Sequence, residues 1–241
     1  MRARKDGRRV GLLLPSSNTI QETEFTRIMP DGVTLHVARL AWRTVEPGAA
    51  EPLVEDFEAE SRKLADAGVD AIVLAATAPS SRHGIGYDQE LIKRIEAASG
   101  KPATTASTAL VQALKVLEIR RLAIAAPWSE ATTATVTAFI EASGFSVVSQ
   151  SALGLASYQE IGLLDENTIF DTGIAVDHAE AQAVMLAGGN VPTLGVVDRL
   201  EAAIRKAVLA TNQVSLWAVL RLAGYRAPVF GWGRLLREHM V

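Results

Sequence analysis

Four short stretches hold the side chains with chemistry to offer. Pro15-Ser16-Ser17-Asn18-Thr19 sets hydroxyls and an amide just after an apolar run. Free backbone N–H groups at a helix start there suit a carboxylate or phosphate, with Ser17 and Asn18 as candidate holders. The same residue types also suit plain helix capping. Thr77-Ala78-Pro79-Ser80-Ser81-Arg82-His83-Gly84 reads as a polar loop. In it Thr77 and Ser80 are candidate donors to an enolate-type oxyanion, and His83 is the candidate acid. Ser80 also admits a hydrolase reading, as nucleophile or beside an activated water, with His83 the nearest base in sequence. Gly188-Gly189-Asn190-Val191-Pro192-Thr193 offers two glycines for close backbone approach and Asn190 as a further carboxylate holder, a composition that a tight turn shares. The fourth stretch is Pro127-Trp128-Ser129.

What the sequence lacks narrows the chemistry. Of 241 residues none is cysteine, which removes disulfides, thiolate metal sites and thiol nucleophiles together. No pair of histidines or carboxylates has metal-ligand spacing, and GxGxxG, GxxxxGK[ST] and GxSxG are all missing. No metal is therefore expected, and dinucleotide, ATP and serine-hydrolase readings lose their best support. A net charge of −3 gives no electrostatic reason to expect nucleic acid. The basic run Arg2, Arg4, Lys5, Arg8, Arg9 reads as a solvated tail. With no apolar stretch near the roughly 20 residues of a membrane span and no signal-peptide core at the N-terminus, a cytoplasmic protein without a membrane partner is expected.

The elements that must position these stretches follow from hydrophobic periodicity. Short aliphatic runs alternate with amphipathic segments, the pattern of parallel βαβ units. Strands are expected at 9–14, 34–40, 71–75, 103–105, 122–126, 146–149, 183–187 and 207–210. Asp88 is expected to cap a helix through Ser99 that buries Leu91, Ile92 and Ile95, ended by Gly100. Ser129 is expected to cap another, stopped by Gly144, and a further helix runs over 52–67 with Phe57 and Leu64 on one stripe. Hydrophobic residues make up 49% of the chain, enough for a sizeable core. The two halves look alike, 1–115 with 212–241 forming one and 116–211 the other. In open parallel sheets ligands bind beyond the carboxyl ends of strands, so the four stretches should converge on a cleft between the halves. Trp42, Trp128, Tyr158 and Gln159 are candidates to line it, while Trp217 falls in an apolar helical stripe and reads as core. Tyr225–Val241, with Phe230 and Trp232, suits either a subunit contact in a homo-oligomer or packing on the domain.

Three motifs carry a family likeness. Val10-Gly11-Leu12-Leu13-Leu14-Pro15-Ser16-Ser17-Asn18-Thr19 with Glu22, Glu24 and Phe25, then Pro102–Ala109, then Thr211-Asn212-Gln213-Val214-Ser215-Leu216-Trp217 occur in this order. On them the chain resembles the maleate isomerase and arylmalonate decarboxylase branch of the aspartate/glutamate racemase superfamily. The resemblance implies two pseudosymmetric α/β halves and cofactor-independent chemistry on a small carboxylate. It also implies a reactive cysteine at the end of a strand in each half, and here those positions hold Ala76 and Gly188. Arylmalonate decarboxylases keep only the second cysteine, which protonates the enediolate. Where the family commonly has tyrosine, this chain has Trp128. An enzyme stabilising an enolate-like intermediate without thiols is expected, decarboxylase-like before isomerase-like. The other readings are a carboxylate-binding protein without turnover, and the hydrolase built on Ser80.

Overall fold

The computed structural model describes residues 7–41 and 53–241, with side chains from 57 onward in the second stretch. Arg2, Arg4, Lys5 and Trp42 lie outside the described residues. The first half runs β1 (Arg8–Pro15), α1 (Gln21–Ile28), β2 (Val33–Leu40), α2 (Leu53–Asp66), β3 (Ala71–Leu74), α3 (Thr77–Ser81), α4 (Tyr87–Ser99), β4 (Ala103–Thr105) and α5 (Ala106–Val116). The second runs β5 (Arg121–Ala126), α6 (Glu130–Ala142), β6 (Ser146–Ala152), α7 (Tyr158–Gly162), α8 (Glu166–Val176), β7 (Ala183–Leu186), α9 (Val197–Ile204) and β8 (Ala207–Ala210). α10 (Thr211–Leu222) and α11 (Gly233–Glu238) close the chain.

Each half is one four-stranded parallel sheet, with orders β2-β1-β3-β4 and β6-β5-β7-β8. The second order repeats the first strand for strand, which is the pseudosymmetry the alternating pattern implied. Central strands β3 and β7 are buried along their whole length, as sheets covered on both faces require. In the first half the side chains of β1 and β3 alternate between two cores. Val10, Leu12, Leu14 and Val73 join the large core shared with the second half. Leu13, Ile72 and Leu74 face Phe57, Leu64, Leu91 and Ile95 of α2 and α4 instead. Each such Leu or Ile contributes roughly 1.5–3 kcal/mol by leaving water. Gly11 keeps β1 close to its cover, since a Cβ there would meet Ile72 and Leu64 side chains at 3.1 Å.

Several expectations are corrected. The stretch 77–81 is the short helix α3, not a loop, because Ser80 N–H reaches the Ala76 carbonyl at 3.2 Å and closes a turn. Asp88 is not a cap. Left-handed Gly86 precedes α4, and Asp88, buried in its first turn, accepts hydrogen bonds from Thr108 and Gln89. Arg8 and Arg9 are the first residues of β1 and not tail, with Arg9 N–H donating to Asp70 at 2.7 Å. Ser129 does cap α6, accepting from Thr132 N–H.

The C-terminal helices tie the halves together. α10 packs on α5, β3 and β4, while α11 packs on α9 and β8. Trp217 is fully buried in α10 and donates to the His239 carbonyl at 2.8 Å. Trp232 is also fully buried, edge-on to Phe25, whereas Phe230 is exposed. No helix among the described residues is long and apolar enough to cross a membrane.

Candidate active site

The carboxyl ends of β1, β3, β5 and β7 all point at one recess between the halves. Its empty space, open mouth included, measures about 450 Å³. That volume suits a small molecule. Asn18, Ala76, Thr77, Trp128, Gly188, Gly189 and Asn190 line it together with Arg82 and Tyr158. Among the described residues, no group of three or more His, Asp or Glu is placed to hold a metal ion.

Asn18 and Asn190 face each other across the pseudo-twofold axis and have a job already. The Asn18 amide donates to Gln21 Oε1 at 2.9 Å and to the Gly189 carbonyl at 3.0 Å. Its carbonyl oxygen accepts the N–H groups of Ile20 and Gln21, at 3.0 and 2.9 Å. Both amide hydrogens and both lone pairs are therefore engaged within the protein. Asn190 answers from the other half, accepting Thr19 N–H at 2.8 Å and donating to the Tyr158 carbonyl. The two amides, expected as carboxylate holders, fasten the halves to one another at the floor of the recess. Thr77 and Gly188 are linked in the same way. Thr77 Oγ1 lies 2.8 Å from Thr211 Oγ1, which accepts the Gly188 N–H at 3.0 Å.

Glu24 is a further buried fastening between the halves. It accepts from Thr193 and Leu194 N–H groups at 2.5 and 2.6 Å and from Asn212 Nδ2 at 2.6 Å. Burial pushes its carboxyl above the usual range, and those hydrogen bonds pull the other way.

Four candidates from the sequence do not line the recess. Ser80 is fully buried, donates to the Ala76 carbonyl at 2.7 Å and meets Ser107 Oγ at 2.6 Å, with no base among its partners. His83 is exposed, its ring edge-on to Tyr87 at 4.5 Å. Ser17 is half-buried beside the recess. Gln159 is exposed outside it, while Tyr158 is inside.

Two residues gain importance. Arg82, unassigned by the sequence reading, lines the recess and has no carboxylate partner among the described residues. Its only signal was position, a lone cation a few residues beyond a fully apolar strand. Tyr158 is buried, which pushes its phenol well above the usual tyrosine range, while the Arg82 charge pulls it down. Trp128 is also buried, and its indole N–H has no hydrogen-bond partner. Such a donor costs roughly 1–3 kcal/mol until an acceptor arrives. The first-turn N–H groups of Thr77 and Ala78 likewise have no partner inside α3. The recess thus combines one cation, unpaired donors and apolar walls, an arrangement suited to a small carboxylate.

Two mirrored parallel-sheet halves around such a recess define an enzyme of the maleate isomerase and arylmalonate decarboxylase branch of the aspartate/glutamate racemase superfamily. Within that branch the chain belongs to the arylmalonate decarboxylase family, whose model matches residues 10–236. It is 24% identical over 232 residues to arylmalonate decarboxylase of Bordetella bronchiseptica, covering 95% of this chain and 96% of that one. It is 27% identical over 241 residues to maleate isomerase of Nocardia farcinica, covering 96% of each. The solved maleate cis-trans isomerase of Nocardia farcinica, a serine-for-cysteine variant with a covalently bound succinylcysteine intermediate, superposes with a TM-score of 0.91. It is 26% identical, over 96% of this chain and 98% of that one. An alanine-for-cysteine variant of the Pseudomonas putida S16 maleate isomerase with maleate gives a TM-score of 0.92 at 24% identity, over 96% and 98% of the two chains.

Proposed function

We propose that this protein is a cofactor-independent, cysteine-free enzyme that stabilises an enolate-like intermediate of a small carboxylate, with a decarboxylation as the reaction it supports best. The observation that carries this reading is Arg82, a cation without a carboxylate partner among the described residues, in a recess whose walls are mostly apolar. A carboxylate paired there keeps a charge-assisted hydrogen bond that water does not compete for. Cleavage of the bond between the substrate carbon and a second carboxylate leaves its electron pair in the first carboxyl group. The enediolate so formed is held by Arg82 and by the N–H groups that open α3, and carbon dioxide departs. A proton then completes the carbon.

A decarboxylase fits better than an isomerase because Ala76 and Gly188 supply no acid or base on either face of the recess. Those same two residues favour the second reading, a carboxylate-binding protein without turnover. The buried, base-free surroundings of Ser80 give the hydrolase reading no support.

Proton NMR of the protein in deuterated buffer with maleate, substituted malonates, hydroxy acids and amino acids separates the two readings. Product or deuterium incorporation supports the enzyme. Line broadening of a carboxylate without conversion sinks the enzyme and leaves the binding protein.

A further inference from the structure

We propose that Tyr158 is the proton donor of this site and delivers its proton from the Ala76 side of the recess. The inference rests on the enolate reading above. Among the described residues that line the recess, only Thr77 and Tyr158 carry an O–H group. The Thr77 hydroxyl is occupied by Thr211, while the Tyr158 hydroxyl makes no hydrogen bond with any described residue. Tyr158 is nevertheless firmly placed. Its carbonyl accepts from Asn190, and its short helix opens with a reciprocal cap in which Ser157 accepts the Glu160 N–H at 3.1 Å. Although α7 belongs to the second half, the Tyr158 ring crosses the cleft and packs into the first-half apolar cluster that contains Ala76.

The opposite side offers nothing comparable. Gly188 has a left-handed φ of +106°, and a Cβ built on it would meet Pro127 and Val191 at 3.0 Å and Trp128 at 3.2 Å. The space in which a side chain at that position would start is filled by rings and a methyl group. The indole N–H of Trp128 can donate a hydrogen bond but not a proton at ordinary pH.

The step balances without a co-reactant. After carbon dioxide leaves, the O–H bond of Tyr158 breaks and its proton bonds to the α-carbon of the enediolate. The O–H electron pair stays on the phenolate oxygen, beside the Arg82 charge. Water entering after product release returns a proton to the phenolate. Burial keeps the phenol protonated until that moment, and the Arg82 charge steadies the phenolate.

The test is Tyr158→Phe, which preserves the ring and its packing. With 2-methyl-2-phenylmalonate as probe, turnover should fall by about 10²–10⁴, the usual worth of a positioned acid. The product of the wild type should be of one hand, and the residual product of the variant of mixed hand. Affinity for the probe, read by NMR titration, should stay within about threefold. A variant within about fivefold of the wild-type rate, or one yielding product of the same single hand, overturns the role of Tyr158 while the enolate reading stands. A wild-type protein that binds carboxylates across the panel and converts none overturns both. Near-UV circular dichroism of the variant guards against a rate lost through misfolding, and a normal spectrum with unchanged rate counts against the proposal.

Discussion

Ala76 and Gly188 occupy equivalent places, two residues beyond the ends of strands in two sheets of identical order, yet their surroundings differ. Ala76 is in extended conformation, φ −139° and ψ 103°, which any residue adopts, and its methyl belongs to the same apolar cluster as the Tyr158 ring. Gly188 is in the left-handed region, and Pro127, Val191 and Trp128 crowd the space its Cβ would take. In the first half the position is still shaped for a side chain. In the second half the backbone and its neighbours exclude one. A site that loses a reactive group keeps its frame where the surroundings are unchanged and fills in where a larger neighbour such as Trp128 takes the volume.

Substitutions that restore a side chain at each position should break this symmetry most visibly. Gly188→Cys combines left-handed strain with overpacking and should cost about 3 kcal/mol, seen as a drop of about 6–12 °C in Tm. Trp128→Ala should itself cost about 3–5 kcal/mol through the cavity it leaves. Gly188→Cys should nevertheless cost less in that background than in the wild type, because the contact is relieved and the φ strain stays. An equal cost of Gly188→Cys in both backgrounds would remove Trp128 from the explanation. Arg82→Gln sharpens the chemistry of the Ala76 side. It should weaken binding of the best carboxylate by about 10- to 100-fold, the worth of a charged hydrogen bond, with little change in Tm, as calorimetric titration would read. Ala76→Cys should shift stability by less than about 1 kcal/mol, and a loss as large as that of Gly188→Cys would show the two sites to be alike after all.

The smallest effect concerns the seam between the halves. Burial raises the Glu24 carboxyl, so the folded state holds that proton at pH values where the unfolded chain has released it. This group's contribution is therefore greatest near and below the ordinary glutamate range and declines as pH rises toward the raised folded value. Glu24→Gln cannot titrate, and the Tm difference between wild type and variant should move against the wild type on going from pH 4.5 to 8. A difference constant across that range would show Glu24 to be ionised throughout.

The expected strands were legible because each is an aliphatic run that no other local structure buries as well, and among the described residues a strand forms at each of those places. The convergence of the four stretches followed from parallel topology, which puts every strand's carboxyl end on the same side. Ala76, Gly188 and Trp128 were legible only as the family positions where expected residues are missing. The roles inside the recess were not legible, because hydrogen bonds across a seam join residues far apart in the chain. Asn18 and Asn190 have the composition of anion holders, and only the fold shows their amides spent on each other's halves. His83 and Arg82 are adjacent in sequence, and the turn after α3 leaves one exposed and the other in the recess. Sequence alone determined the α/β class, the repeat of two halves and the absence of thiols, since these depend on composition and local periodicity. The tertiary structure decided which polar groups remain unpaired to meet a ligand, because that depends on who else reaches them in space.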